Sequence, residues 1–559
     1  MKSQVGTRRE RIPLARQSQG GTGILPVHWR DASATRGETS GTRRDASATR
    51  RQSQGGTGIL PVHWRDASGT RRWGAVVFVA VVAWASSGAS ARAEDLYATV
   101  VELRRGYAAQ LDELADWCDE RKLADQAHET RAWLRPRDPN CVYVAVFPRR
   151  IGPPELPPDT PANVVEWRDR FLRLRRDQAD AMFQIARRAI RTNRASLAFD
   201  LIVTALHEDP DHKPIRQILG YQPYRAEWRS AYEVNKLRRG QVWHERFGWL
   251  PRNHVRRYEE GERYYRGRWI SAEEDARAHR HINFGWDVET EHYTVRTNLS
   301  IEAGVELGRQ LERLYDVWKQ LFICYYATEE QVAALFAGSA RRPRFQLPRH
   351  AVVYFRDRDD YNRSLKPAFP NVEISIGVYA DGPRRAYFFA GDEYEQRTLH
   401  HEATHQLFHE SRRVAPAVGR DRNFWIIEGI ALYMESLREE DGYYVLGGFD
   451  DDRMQAARYR LLVDDFYVPL AELTSYGMDD VKHDPRIATL YSQAAGLTNF
   501  LVHNDGGRYR DALVDYLTAV YSGTDTPDTL AQLTGTSYDE LDKQYRQFME
   551  QGPQPTEGE

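Results

Sequence analysis

The chain has 559 residues, enough for two or three domains, and 41% apolar with 11% aromatic content supplies real cores, which excludes a wholly disordered polymer. Residues 1–72 hold 14 Lys/Arg against 5 Asp/Glu, a net of +9, and Arg92 adds one more, so the body from Glu94 onward carries −12 to reach the overall −2. A basic leader on an acidic body argues against a nucleic-acid partner.

Within residues 1–72 the stretch Arg16–Ser33 recurs as Arg51–Ser68. Two copies rich in Gly, Ser, Thr and Arg build no packed core and are too few for a solenoid, so a disordered low-complexity leader is expected. Residues 73–93 read as a signal peptide. Arg71-Arg72 precede the apolar run Trp73–Ala85, too short to span a bilayer comfortably, and Ala91-Arg92-Ala93 is a cleavage pattern. The expectation is an extracytoplasmic (periplasmic or secreted) protein starting at Glu94, with no stable membrane span after cleavage.

Residues 94–165 begin as a helix, with Leu96, Val100, Leu103, Tyr107, Leu111 and Leu114 at three- and four-residue steps. A short strand follows at Cys141–Phe147, then a Pro-rich linker from Pro148 to Pro161. Cys118 and Cys141 either pair in an oxidising compartment or stay as buried thiols.

Residues 166–283 predict paired, tetratricopeptide-like helices, one lined by Phe183, Ala186 and Ala189 and the next by Ala198, Phe199, Ile202 and Leu206. The aromatic stretch Gln241–Ile270 is either a stacking surface for sugar or peptide, or a small β-rich core joining two domains; the second is favoured. Ser271-x-x-Glu274 is a capping box.

Residues 284–550 predict a catalytic domain and 551–559 a polar tail. Alternation of Trp286, Val288 and Thr290, and of Tyr293, Val295 and Thr297, marks a strand, and Leu307, Leu311, Leu314, Trp318 and Leu321 mark an amphipathic helix. Strands are expected at Ala351–Phe355, Ile374–Ala380 and Arg384–Ala390, and mostly helix after Glu435.

Between the last strand and that helical part lies His401-Glu402-x-x-His405. Positions i and i+4 share one helix face, so two imidazoles can hold one metal ion while Glu402 takes a proton from a metal-activated water. Downstream, Phe424–Glu435 reads as a buried helix whose apolar first half holds one acid, Glu428. Burying a lone carboxylate is costly without a partner, and a metal ion is such a partner. Gly429 has no side chain, so the backbones of this helix and of the His401/His405 helix are expected to approach closely there. Glu435, two turns on, is placed to hydrogen-bond a ligand imidazole.

His401-Glu402-x-x-His405 followed by Trp425-x-x-Glu428-Gly429-x-Ala431-x-Tyr433-x-Glu435 resembles the gluzincins, and more narrowly the secreted peptidase-MA-like proteins, over about Trp286 to Tyr521. The resemblance implies an α+β, thermolysin-like catalytic domain: a small mixed sheet, active-site helices and a helical C-terminal part, here behind a mainly helical accessory region. It implies Zn²⁺ on His401, His405 and Glu428, with Glu402 as general base and Tyr491 stabilising the oxyanion. It also implies a peptide or protein substrate paired along the last strand before the metal helix, Arg384–Phe389. The aminopeptidase G-x-M-E-N signature is absent, and the spacing of His409 fails the metzincin pattern. The competing expectation is an inactive peptidase-like scaffold binding extracytoplasmic proteins or glycans.

Overall fold

The structure is a computed structural model describing the backbone of residues 74–134, 137–337, 348–391 and 395–553, with side chains from Leu96 onward, Glu395 excepted. The predicted leader 1–72 lies outside the described residues, as do the side chains of the predicted signal peptide. Among the described residues no helix is long and apolar enough to cross a membrane. From Val100 onward the described chain belongs to one unit.

That unit is mixed α+β with small sheets. It opens at Val100 within α1 (Gly74–Glu120), where Tyr107, Leu111, Leu114 and Cys118 bury against Trp167 and Phe171. Strand β1 (Cys141–Ala145) precedes two long helices, α2 (Ala162–Arg191) and α3 (Ala195–Glu208), packed on each other across a three-residue turn. Their facing residues are the predicted ones: Ala186, Ala189, Ala198, Ile202 and Leu206 are fully buried. Glu208 ends α3 inside this layer and accepts hydrogen bonds from Tyr107 (2.8 Å) and Trp133 (2.9 Å).

The aromatic stretch folds as three successive hairpin–helix units. They are β2 (Tyr221–Tyr224), β3 (Glu227–Ser230) and α4 (Ala231–Arg238); β4 (Gln241–His244), β5 (Gly248–Pro251) and α5 (Val255–Glu259); β6 (Glu262–Tyr265), β7 (Arg268–Ser271) and α6 (Ala272–Ala278). Trp228, Trp249 and Trp269 hold the same place in the second strand of each unit. Glycines 220, 240 and 261 precede the units, and Ser230 and Ser271 cap the first and third helices. Each helix sends a ring onto the next unit: Tyr232 meets Trp249 at 6.0 Å, Tyr258 meets Trp269 at 6.1 Å, and His279 stacks on Trp286 at 4.6 Å. Trp286 already belongs to the following sheet. The stretch is β-rich, as favoured, and its period of about twenty residues makes it a repeat array.

The central sheet holds β8 (Trp286–Glu289), β9 (Tyr293–Thr297), β10 (His350–Phe355), β11 (Val378–Ala380) and β12 (Arg385–Phe389), with α7 (Ile301–Leu321) between β9 and β10. The order is β11-β12-β10-β9-β8; β10 runs parallel to β9 and β12, and the outer pairs are antiparallel. The mixed sheet is as expected, with two corrections. The one strand expected over Trp286–Thr297 is the antiparallel pair β8 and β9, because the chain turns back between Glu289 and Tyr293. Arg384–Phe389, expected to offer a free edge to substrate, is β12 and lies between β11 and β10. The edge is β11, shortened because Val372–Ile374 turns as a 3₁₀ helix.

Two helices follow, α8 (Glu395–Glu410) and α9 (Phe424–Glu435). A hairpin then interrupts the expected helical run: β13 (Arg438–Glu440) and β14 (Tyr443–Gly447), with β1 pairing antiparallel to β14. Next come α10 (Asp452–Leu462), α11 (Ile487–Gly507, broken at Asn504–Gly506) and α12 (Arg510–Ser522). Cys118, Cys141 and Cys324 are free thiols.

The close approach at Gly429 is made not by α8, as expected, but by α11. A Cβ there would lie 2.4 Å from Thr498 Oγ1 and 2.7 Å from the Ala494 carbonyl oxygen. Backbone cannot retreat cheaply, so Gly429→Ala is expected to cost about 1–3 kcal/mol, read as a lower denaturant midpoint for the full chain.

Candidate metal centre

Helix α8 is continuous because no Gly or Pro interrupts it, and Leu399, Ala403, Leu407 and Phe408 bury fully along one stripe. Phe408 packs on Trp318 (5.7 Å) and Phe322 (5.1 Å) from the region of α7. The stripe leaves His401 and His405 one turn apart on an adjoining face, ring centroids 4.8 Å apart. Helix α9 is buried along its whole length. It starts at Asn423, which takes φ of +61° and is fixed by hydrogen bonds to Asp525 and from Tyr516, both 2.7 Å. Five residues on, Glu428 faces the two imidazoles.

His401 Nε2 lies 3.1 Å from His405 Nε2 and 3.4 Å from Glu428 Oε2, and His405 Nε2 lies 3.8 Å from Glu428 Oε1. A tetrahedral ion with bonds of about 2.0–2.1 Å sets its donors about 3.3 Å apart, so the three donors fit one. All three are buried, at 1%, 4% and 1% exposure. This group can hold a metal ion.

The surroundings orient it. Glu435 accepts a hydrogen bond from His401 Nδ1 at 2.8 Å. A carboxylate only accepts, so the ring proton sits on Nδ1 and the Nε2 lone pair faces Glu428 and His405. Arg453 Nε donates to the other Glu435 oxygen at 2.9 Å. Burial acts to lower the His401 imidazole, but hydrogen bonds and charge from Glu428 and Glu435 outweigh it and hold it up to about 10. The pair of carboxylates thus stabilises positive charge at this point, whether a proton or a metal ion supplies it.

Glu402 stands beside the donors, fully buried. Its Oε2 accepts the Tyr379 backbone N–H at 2.7 Å, while Oε1 has no hydrogen-bond partner. Burial pushes its carboxyl up to about 7, against the pull of His401 and the Tyr379 N–H. Strand β11 reaches Glu402 because Gly377 precedes it: a Cβ there would meet Thr398 at 2.6 Å and Glu402 at 3.2 Å.

Tyr491, at the start of α11, is brought to the site. Burial first, then the charge of Glu428 and a hydrogen bond to it, raise the phenol well above its ordinary value. His400 points off the donor face into the core, and burial pushes it down to about 4. His409 is half-buried between Tyr379 and Tyr521.

Three site neighbours were not anticipated: Arg453, Tyr379 and Tyr521. Tyr521 is fully buried with no hydrogen-bond partner on its hydroxyl, and burial and the Glu428 charge raise its phenol. A buried phenol among apolar neighbours in α12 was the available signal for it. Arg453 and the Tyr379 N–H carry none, because both act from separate elements.

No family model matches the chain, and no curated protein matches it.

Glu435→Gln keeps the shape of the side chain but removes the charge that orients His401. Metal affinity, measured by chelator competition, is expected to fall about 10–100-fold with the fold retained.

Proposed function

We propose that this chain is a zinc-dependent hydrolase that cleaves peptide bonds, of the gluzincin kind its sequence resembles. One observation carries the reading: His401, His405 and Glu428 converge from two helices with Glu402 beside them, its free oxygen buried and unpartnered. Two imidazole nitrogens and one carboxylate suit zinc and leave a tetrahedral corner open, whereas calcium and magnesium prefer all-oxygen sets. When bound, the ion supplies Lewis acidity that activates water and polarises a carbonyl.

The remaining steps belong to the protein. Tyr379 N–H anchors one Glu402 oxygen, so the other is held in place to accept a proton from water. A carboxyl raised to about 7 is matched to returning that proton to a leaving amine. The Tyr491 hydroxyl, which hydrogen-bonds Glu428 here, has to turn from that carboxylate to donate to the developing oxyanion. Glu435, clamped by Arg453, holds the His401 ring in the tautomer that ligation requires. The substrate is a peptide or protein, and the predicted signal peptide places the reaction outside the cytoplasm. Recognition by pairing along β12 is not part of this reading, since both edges of that strand are taken.

Glu402→Gln is expected to bind zinc as the parent does and to lose hydrolysis of a peptide library by several orders of magnitude, on the order of 10³-fold or more. Metal analysis beside the cleavage assay checks both halves. A zinc-loaded parent chain that cleaves no peptide would replace the hydrolase with the scaffold reading.

A further inference from the structure

A cavity of about 680 Å³ lies among the first two hairpin–helix units, the β8–β9 turn and α7, and none of the metal-centre side chains lines it. Glu312, Asp316 and Lys319 reach it from α7, at steps of four and three residues on one helix face, beside Glu291 of the turn. Tyr221, Tyr232, Trp243 and Trp249 add an aromatic lining, with Trp243 and Trp249 edge-on at 5.7 Å. The volume is in the range of small-molecule sites.

We propose that this cavity binds an organic cation, a protonated amine or guanidinium on an aliphatic stem. The charges around it favour that choice over an anion or a neutral sugar. The arginines on the lining are already paired: Arg149 with Glu233 (2.5 Å), Arg229 with Glu227 (2.6 Å) and Glu233 (3.0 Å), Arg309 with Glu245 (3.3 Å), Arg313 with Glu439 (3.9 Å). Glu312 is spent on His292, binding both its backbone N–H and its Nδ1 at 2.7 Å. Asp316 is different. Its carboxylate makes no hydrogen bond and no ion pair among the described residues, and Lys319 turns its ammonium to the Leu219 carbonyl at 3.5 Å.

Burial, then the charges of Glu312 and Glu291, push the Asp316 carboxyl up to about 6 in spite of Lys319. Of the lining charges that make no ion pair among the described residues, Glu291 and Asp316 are negative and Lys319 is positive, an excess of one negative charge. An entering anion would meet Asp316 and Glu291, and a neutral ligand would leave Asp316 uncompensated. A cation pairs with Asp316 and gains the faces of the aromatic rings. Tyr232 adds a hydroxyl that is buried on this lining without a hydrogen-bond partner and can accept from an N–H donor. Such a cation has two sources: a free amine, or the side chain of a basic residue in a peptide.

Calorimetric titration of the full chain with cadaverine, agmatine and N-acetyl-lysine amide tests this, with N,N′-diacetylcadaverine as the neutral isostere. The three cations are expected to bind and the isostere not to. Asp316→Asn should weaken binding about tenfold or more. Lys319→Met removes the competing ammonium and should tighten it, an opposite sign that misfolding does not produce. Tighter binding of the free amines supports a small-molecule ligand, and tighter binding of the lysine amide supports a peptide side chain. Equal binding of the isostere, weaker binding by Lys319→Met, or no binding of any cation to the parent chain would overturn the proposal.

Discussion

The structure turns on the burial of three carboxylates, Glu402, Glu428 and Glu435, at 0–3% exposure inside one apolar shell. Each would cost several kcal/mol if left alone. The fold answers each differently. A backbone N–H anchors Glu402, Arg453 and His401 share Glu435, and Glu428 faces two imidazoles and Tyr491. Glu428 and Glu435 together stabilise positive charge where the three donors meet, and a metal ion can supply it. The packing around α8 and α9 keeps those charges close: Phe408 wedged on Trp318, and Gly429 of α9 against the backbone of α11.

Much of this was legible in the chain because it is local. His401 and His405 are one helical turn apart, Glu428 is the lone acid in an apolar run, and Glu435 is two turns further on the same helix. Periodicity reports such facts directly. What it does not report is which distant element supplies the fourth partner. Arg453 arrives after an intervening hairpin, Tyr379 acts through its backbone, and Tyr521 comes from α12. The hairpin β13–β14 was missed for a related reason. It is short, and β14 gains a second partner, β1, from almost three hundred residues earlier, so its stability is not written nearby.

The aromatic stretch shows how a repeat escapes notice. Trp228, Trp249 and Trp269 recur at 21 and 20 residues, each three residues after an arginine (Arg225, Arg246, Arg266), and Tyr224-Arg225-x-x-Trp228-x-Ser230-Ala231-x-Glu233 returns as Tyr265-Arg266-x-x-Trp269-x-Ser271-Ala272-x-Glu274, but the middle unit keeps little else of that pattern. Each unit of two four-residue strands and a short helix is too small to bury a core of its own. Ring-on-ring contact with the next unit supplies what is missing, with aromatic pairs worth about 0.5–1.5 kcal/mol beyond their buried area. The relay ends where His279 stacks on Trp286, so the central sheet caps the array.

Helix α7 shows why the array and the sheet occupy the places they do. One of its faces, Leu311, Leu314 and Trp318, is buried in the core that backs the metal helix. The next face carries Glu312, Asp316 and Lys319, polar groups that a fully packed neighbour would have to desolvate. The hairpin–helix units stop short of them and leave a cavity, keeping these charges half-buried rather than buried. The same helix therefore borders two acidic environments under opposite rules. At the candidate metal centre the carboxylates are sealed, and each faces a donor or cation of the protein. In the cavity they keep contact with solvent, and Asp316 is left without one.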